Sequence, residues 1–389
     1  MKVLVIGAGM YVTGRHASGI GTVMASLAEA ARIERIERVL IVARSQGSAE
    51  SVAEAARRIN GILGTALPFE YRAIADGRTL GSQLALDEYG CAVVAVPDDL
   101  HFRFAAELIE SRVPVLIVKP LTPTLREARD LVALQSRTGT YAAVEFHKRF
   151  DESNLLAKRY IAEGRFGALL YGTVDFSQRI RVPTEIFREW AERTNVFQYL
   201  GVHYADLFYF LTGLMPLRVQ AVGTRGALWE RGIHTYDSVH AHVLWGRRGD
   251  AEHSFVTQIS TNWIDPNTTS ALSDQRMKVV GTRGRIECDQ KDRGIEVVTE
   301  EEGIQHVNPY FADFLPDPEN RPAFQGYGYK SISTFLGDVR ALAGGRRTVE
   351  ELDTVRPTLR QSLVSTAVID AVNDSLTHDS RWRQIDEIR

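Results

Sequence analysis

Cysteine is almost missing from this chain: Cys91 and Cys288 are the two in 389 residues. So few exclude a disulfide framework and a zinc cluster built on cysteine, and they point to a reducing compartment. Long hydrophobic runs are missing too, since no segment approaches the roughly 18 apolar residues of a membrane span. The apolar N-terminal stretch is short and lacks a cleavage site, so a cytoplasmic location is expected. Nor is there a basic excess. Lys plus Arg number 46 against 49 Asp plus Glu, and neither sign gathers into a block. Phosphate-backbone binding needs positive charge on one face, so nucleic acid is not an expected partner, and neither is a membrane. Internal repeats and low-complexity linkers are also missing. What remains is a globular chain.

The length suits two domains, each with a substantial core. In the first part, apolar runs at Val3–Ile6, Val39–Val42, Cys91–Val96, Pro114–Val118 and Tyr141–Glu145 alternate with helical stretches at Val23–Ala31, Ala49–Ile59, Phe102–Glu110 and Leu125–Leu134. Strands joined by crossover helices predict a parallel sheet covered on both faces. After Phe146 the pattern changes to half-apolar alternation at Leu169–Gln178, Arg218–Arg225, Ser238–Trp245, Ser254–Asn262, Lys278–Glu287 and Gly294–Glu300. The turn Gly246-Arg247-Arg248-Gly249-Asp250 suggests a hairpin, so this half reads as antiparallel. Helices are expected at Pro183–Arg193, at Val196–Leu211, and from Lys330 to Leu376 with breaks near Gly344-Gly345 and Pro357. The fold class is therefore α/β. A dinucleotide-binding Rossmann domain with a parallel sheet is expected over residues 1–145. A second α/β domain with a mainly antiparallel sheet is expected over residues 146–389.

The strand Lys2-Val3-Leu4-Val5-Ile6 runs into Gly7-Ala8-Gly9. In a dinucleotide fold the first glycine permits the tight turn and the second lets a pyrophosphate approach the backbone, while the amides that follow face the anion. The third small residue of the usual motif is Val12 here, with Gly14 two places on. Gly7, Gly9, Met10 and Tyr11 are the cofactor-binding candidates of this turn. The second strand ends in Ala43-Arg44-Ser45, where an NAD site usually carries a carboxylate for the ribose hydroxyls. Arg44 and Ser45 instead suit a 2′-phosphate and favour NADP over NAD; the competing reading makes Arg44 a solvated loop residue.

Two further groups carry chemistry. Lys119 ends an apolar strand, where parallel sheets form their ligand crevice, and partial desolvation there lowers a lysine towards neutrality and suits it to exchange a proton. A strand-end lysine that simply reaches water is the alternative. In Phe197–Phe208, the helical step of about 100° per residue brings Tyr199, His203 and Asp206 within roughly 60° of one another on an otherwise apolar helix. Such polar groups need partners or a cavity. His203 and Asp206 alone do not make a metal site, and none is expected.

The chain resembles the glucose-fructose oxidoreductase, inositol dehydrogenase and rhizopine-catabolism (Gfo/Idh/MocA) family. The resemblance rests on Gly7-Ala8-Gly9, on Val94-Ala95-Val96-Pro97 with His101, on Lys119-Pro120, on Arg149-Phe150-Asp151, on Gly201-Val202-His203 with Asp206, and on Val280-Gly281-Thr282-Arg283-Gly284. It implies an NAD(P)-dependent dehydrogenase or reductase acting on a ring hydroxyl or ketone of a sugar, sugar derivative or cyclitol. It also implies Lys119 as general acid/base, His203 as the histidine that orients or protonates the substrate oxygen, Pro97, His101 and Lys119 beside the cofactor, and a homodimer or homotetramer built on the open sheet. Three departures stand out: Val118 precedes the lysine where the family has glutamate, Tyr199 takes the place of a carboxylate, and Glu192-Arg193-Thr194-Asn195-Val196 replaces a glycine-rich stretch. Tyr199 joins Lys119 and His203 as a catalytic candidate, because a phenol can hold an oxygen or donate a proton. Arg149, Gln178, Arg181, Trp190 and Asn195, with Tyr199, His203 and Asp206, are the substrate-binding candidates. The rival class is a dinucleotide-binding sensor of the same fold without turnover, for which Val118 and Tyr199 argue and Lys119 and His203 do not.

Overall fold

The structure, a computed structural model, describes residues 1–14, 19–188, 190–247, 250–385 and 388. Up to residue 150 the order is β1 (Lys2–Ile6), α1 (Met10–Thr13), α2 (Thr22–Ala30), β2 (Arg38–Ala43), α3 (Ser48–Leu63), β3 (Phe69–Ala73), β4 (Cys91–Val94), α4 (His101–Glu110), β5 (Val115–Val118), α5 (Leu125–Thr138) and β6 (Ala142–Glu145). Then follow α6 (Glu152–Ala162), β7 (Leu169–Arg179), α7 (Val202–Thr212), β8 (Met215–Thr224), β9 (Ser238–Arg247), β10 (Asp250–Asp265), β11 (Ser273–Gly281), β12 (Gly284–Asp289), β13 (Glu296–Thr299) and β14 (Gly303–His306). The last part holds β15 (Asp313–Pro316), β16 (Pro322–Gln325), α8 (Tyr327–Ala343), α9 (Val349–Val355), α10 (Leu359–Thr377) and β17 (Arg383–Gln384). No helix among the described residues is long and apolar enough to cross a membrane.

Two compact units result. The first comprises residues 1–122, 126–150 and 310–362; the second comprises 123–125, 151–309 and 363–389. The first unit contains a six-stranded parallel sheet in the order β3-β2-β1-β4-β5-β6. Its central strands are apolar at nearly every position and buried, as strands covered on both faces must be. β3, Phe-Glu-Tyr-Arg-Ala at the sheet edge, is largely exposed, and its polar sequence gave no strand signal.

The expected division at residue 145 is corrected here: residues 310–362 belong to the first unit. The cause is apolar packing, because Ile332, Phe335, Leu336 and Val339 of α8, with Phe324 of β16 and Leu352 of α9, share one core with Val23, Met24 and Leu27 of α2. Asp338 of α8 reinforces this, accepting hydrogen bonds from the Tyr141 hydroxyl at 3.2 Å and from Arg356 Nε at 2.6 Å.

The second unit is built on a seven-stranded sheet in the order β12-β11-β7-β10-β9-β8-β17. The antiparallel expectation holds for every pair except β7 and β10, which run parallel at the centre. The single strand expected over Lys278–Glu287 is two, β11 and β12, turning between Gly281 and Gly284. The helix expected over Pro183–Arg193 is a π turn (Val182–Ile186) and a single 3₁₀ turn (Ala191–Arg193), and the next helix begins with a π turn (Phe197–Gly201) before α7. β9 and β10 pair as the expected hairpin, although Arg248 and Gly249 at its tip lie outside the described residues. Both cysteines are buried, and desolvation pushes the Cys91 thiol up to about 12 and Cys288 up to about 11, so neither is a ready thiolate.

Candidate active site

In the first unit, parallel pairing brings the ends of β1, β2, β4, β5 and β6 to one edge of the sheet, and the cofactor candidates lie there. Gly7 has φ +111°, and a Cβ at this position would overlap the Ala95 carbonyl oxygen, so the turn requires glycine. Gly9 differs: a Cβ there would meet nothing within 4 Å. The open space stands in front of the first amides of α1, which have no acceptor within their own helix. Gly9 is exposed, and a side chain there would stand in this open space. One difference from expectation is that α1 has only four residues and ends at Gly14, while α2 starts afresh at Thr22. A single turn carries little macrodipole.

At the end of β2, Arg44 and Ser45 are exposed. Arg44 Nη1 lies 3.4 Å from Asp76, and the Ser45 carbonyl accepts a hydrogen bond from the Tyr71 hydroxyl. At the end of β4, Pro97 starts a 3₁₀ turn (Asp98–Leu100) that buries Asp98. His101 is also buried, its Nδ1 2.7 Å from the Pro120 carbonyl oxygen and its Nε2 3.0 Å from that of Val96. Burial lowers its basicity, with Asp98 pulling the other way. The structure thus places His101 beneath the strand ends, bridging the segments after β4 and β5, and not among the exposed groups.

Lys119 follows β5 and is half-buried. Desolvation brings its ammonium down to about 7, against the opposing pull of the Asp98 and Glu145 carboxylates. An amine so placed is present in both protonation forms near neutrality and can give or take a proton. Glu145 and its neighbour His147 were not singled out in the sequence. The available signal was position, because Glu145 ends β6 as Lys119 follows β5. Arg149 is buried in the same unit, where its Nη1 donates to Gln361 Oε1 at 2.6 Å.

The remaining candidates belong to the second unit. Tyr199 sits in the π turn before α7, so a uniform α-helical step does not relate it to His203 and Asp206. It is half-buried within an aromatic cluster: ring centroids of Phe187, Trp190 and Trp263 lie 5.1, 5.6 and 5.7 Å away. Phe187 and Trp263 were not foreseen as its neighbours. His203 and Asp206 are buried on α7, and the His203 ring lies 6.3 Å from that of Phe176. Gln178 is engaged within the sheet, donating to Ser273 Oγ at 3.0 Å and accepting from Trp263 Nε1 at 3.2 Å. Asn195 caps the helix start by accepting from the Gln198 amide at 2.9 Å and donates to Asn373 at 2.7 Å. The Arg181 amide donates to Asn267 Oδ1 at 3.1 Å.

A family model described as the oxidoreductase family with an NAD-binding Rossmann fold matches residues 1–146, and one for the GFO/IDH/MocA C-terminal domain matches residues 155–287. The uncharacterized oxidoreductase YhhX of Escherichia coli (strain K12) is 32% identical over 121 residues, 31% of this chain and 34% of that protein. The match thus spans about a third of that relative's length. The inositol 2-dehydrogenase of Rhizobium meliloti (strain 1021) is 23% identical over 242 residues, 61% of this chain and 68% of that protein. Among solved structures, GenD2 from gentamicin A biosynthesis in complex with NAD superposes with a TM-score of 0.71 at 20% identity, covering 100% of this chain and 97% of that one, a likeness of fold.

Two expectations follow. Gly9→Ala keeps the unfolding midpoint of the wild type yet weakens nicotinamide dinucleotide binding at least about tenfold, whereas Gly7→Ala destabilises the fold by more than about 1 kcal/mol; calorimetry and fluorescence titration read both. For Lys119, the folded amine titrates near 7 and the unfolded amine near its ordinary value, so the unfolded chain binds the extra proton between these limits and stability rises with pH across them. Urea melts at pH 6, 8 and 9.5 are therefore expected to show the stability of the wild type gaining on that of Lys119→Met as pH rises.

Proposed function

The chain belongs to the GFO/IDH/MocA oxidoreductase family, and from that membership we propose that it is a nicotinamide-dependent dehydrogenase or reductase acting on a ring hydroxyl or ketone of a cyclitol or sugar. The observation that carries this reading is Lys119, a half-buried amine poised near neutrality beyond a parallel strand. The bound nicotinamide would supply the hydride acceptor or donor. Gly7 and Gly9 hold the turn open for its pyrophosphate, with the Met10 and Tyr11 amides as donors. Lys119 takes the hydroxyl proton in the oxidative direction and returns it in the reductive one. A positioned acid/base group of this kind contributes about 10²- to 10⁴-fold.

The family resemblance further gives His203 the orienting or protonating of the substrate oxygen, with Tyr199 as a second candidate for that role. Tyr199 carries no fixed charge, and its setting among Phe187, Trp190 and Trp263 favours the apolar face of a neutral ring. Arg149 of the first unit and Gln178, Arg181 and Asn195 of the second are held by the contacts described above, and Asp206 is buried on α7. The cyclitol choice draws support from the inositol 2-dehydrogenase relative. Arg44 and Ser45 after β2, with no carboxylate at that strand end, favour NADP over NAD. Association as a homodimer or homotetramer through the open sheet is supported by the exposed Tyr171 of β7 and Val222 of β8.

A spectrophotometric screen with NADP or NAD against inositols, hexoses, uronic acids and nucleotide sugars is expected to show cofactor reduction with one ring class. Lys119→Met then lowers turnover by at least about 10²-fold with cofactor affinity retained. Near-normal turnover of the variant ends the assignment, and silence across the screen with tight cofactor binding favours the sensor. Fluorescence titration is expected to give a lower Kd for NADPH than for NADH, and equal constants refute the role given to Arg44.

A further inference from the structure

Glu145 ends β6 in parallel register with Val118, the residue before Lys119. Partners in a parallel ladder point to the same face of the sheet, on strands about 4.8 Å apart. Glu145 therefore puts a carboxylate on the sheet face taken by the residue before the lysine, where the lysine's own strand carries only Val118. This carboxylate is 1% exposed. Its Oε2 accepts a hydrogen bond from His147 Nδ1 at 3.1 Å, while Oε1 is buried with no hydrogen-bond partner among the described residues. His147 is itself held against the rings of Phe311 and Tyr327, at centroid distances of 5.1 and 5.7 Å, which restricts its imidazole and so orients the carboxylate.

A buried carboxylate oxygen without a donor is costly unless an opposite charge lies near it. Among the described residues, Asp98, in the turn after β4, and Glu145 bear on Lys119, and His147 pairs with Glu145. We infer that Glu145, oriented by His147, is a positioning residue for Lys119: a buried counter-charge supplied from the neighbouring strand in place of one from the lysine's own strand. This assignment rests on Lys119 as the proton-exchanging group. Its consequence is electrostatic. The carboxylate favours the ammonium form, so burial alone would leave the amine still easier to deprotonate.

The chain has seven lysines, few enough for the ε-carbons to be followed individually by NMR in lysine-labelled full-length protein, with Lys119 identified by its loss in Lys119→Met. In Glu145→Gln the titration midpoint of Lys119 is expected to fall by about half a pH unit or more, a change of about threefold in its protonation constant. The double variant Val118→Glu/Glu145→Gln is expected to move it back up. A midpoint that stays at the wild-type value or rises in Glu145→Gln overturns the proposal. Where that variant does not fold, Glu145→Asp is read instead: withdrawing the charge by one methylene lowers the midpoint by a smaller amount, and an unchanged midpoint overturns the proposal. Because the readout needs no substrate, a moved midpoint with no turnover on any ring leaves this assignment standing and removes only the dehydrogenase reading.

Discussion

Parallel strands joined by crossover helices must all end on the same edge of their sheet, and the chemistry of the first unit depends on that constraint. β1 delivers the Gly7–Gly9 turn, β2 delivers Arg44, β4 delivers Pro97 and Asp98, β5 delivers Lys119 and β6 delivers Glu145. The ladder also sets their depth. Ile6 stands opposite Val94, Val94 opposite Ile117, and Val118 opposite Glu145, so residues far apart in sequence reach the edge at matched heights. A glycine turn and a lysine more than a hundred residues apart thereby become parts of one surface.

At that edge the balance is between desolvation and charge. Burial lowers the basicity of both Lys119 and His101; the Asp98 carboxylate opposes it at both, and Glu145 at Lys119. Desolvation wins for Lys119, which leaves an amine near neutrality in place of a fixed cation. His101 stands between the segments after β4 and β5, its ring nitrogens within 3.0 Å of the Val96 and Pro120 carbonyl oxygens.

The second unit solves a different problem. Its polar residues are mostly consumed by one another: Gln178 by Ser273 and Trp263, and Asn195 by Gln198 and Asn373. The side chain type of these residues was legible in the sequence, but whether a polar group meets a ligand or a neighbouring strand depends on partners such as Trp263, Ser273 and Asn373, 85 to 178 residues away. The π turn over Phe197–Gly201 was equally hidden, because the same apolar spacing fits an α-helix and the difference lies in one backbone hydrogen-bond step.

Local chemistry alone specified the central strands, the glycine turn and the strand-end lysine. A fully buried parallel strand must be apolar along its whole length, and a turn at φ +111° packed against a carbonyl must be glycine; both demands are written at consecutive positions. Tertiary structure decided the rest. The return of residues 310–362 to the first core, the parallel pairing of β7 with β10 and the register that sets Glu145 beside Val118 each join segments whose match is one of surface and register, and such a match exists only once both partners are folded.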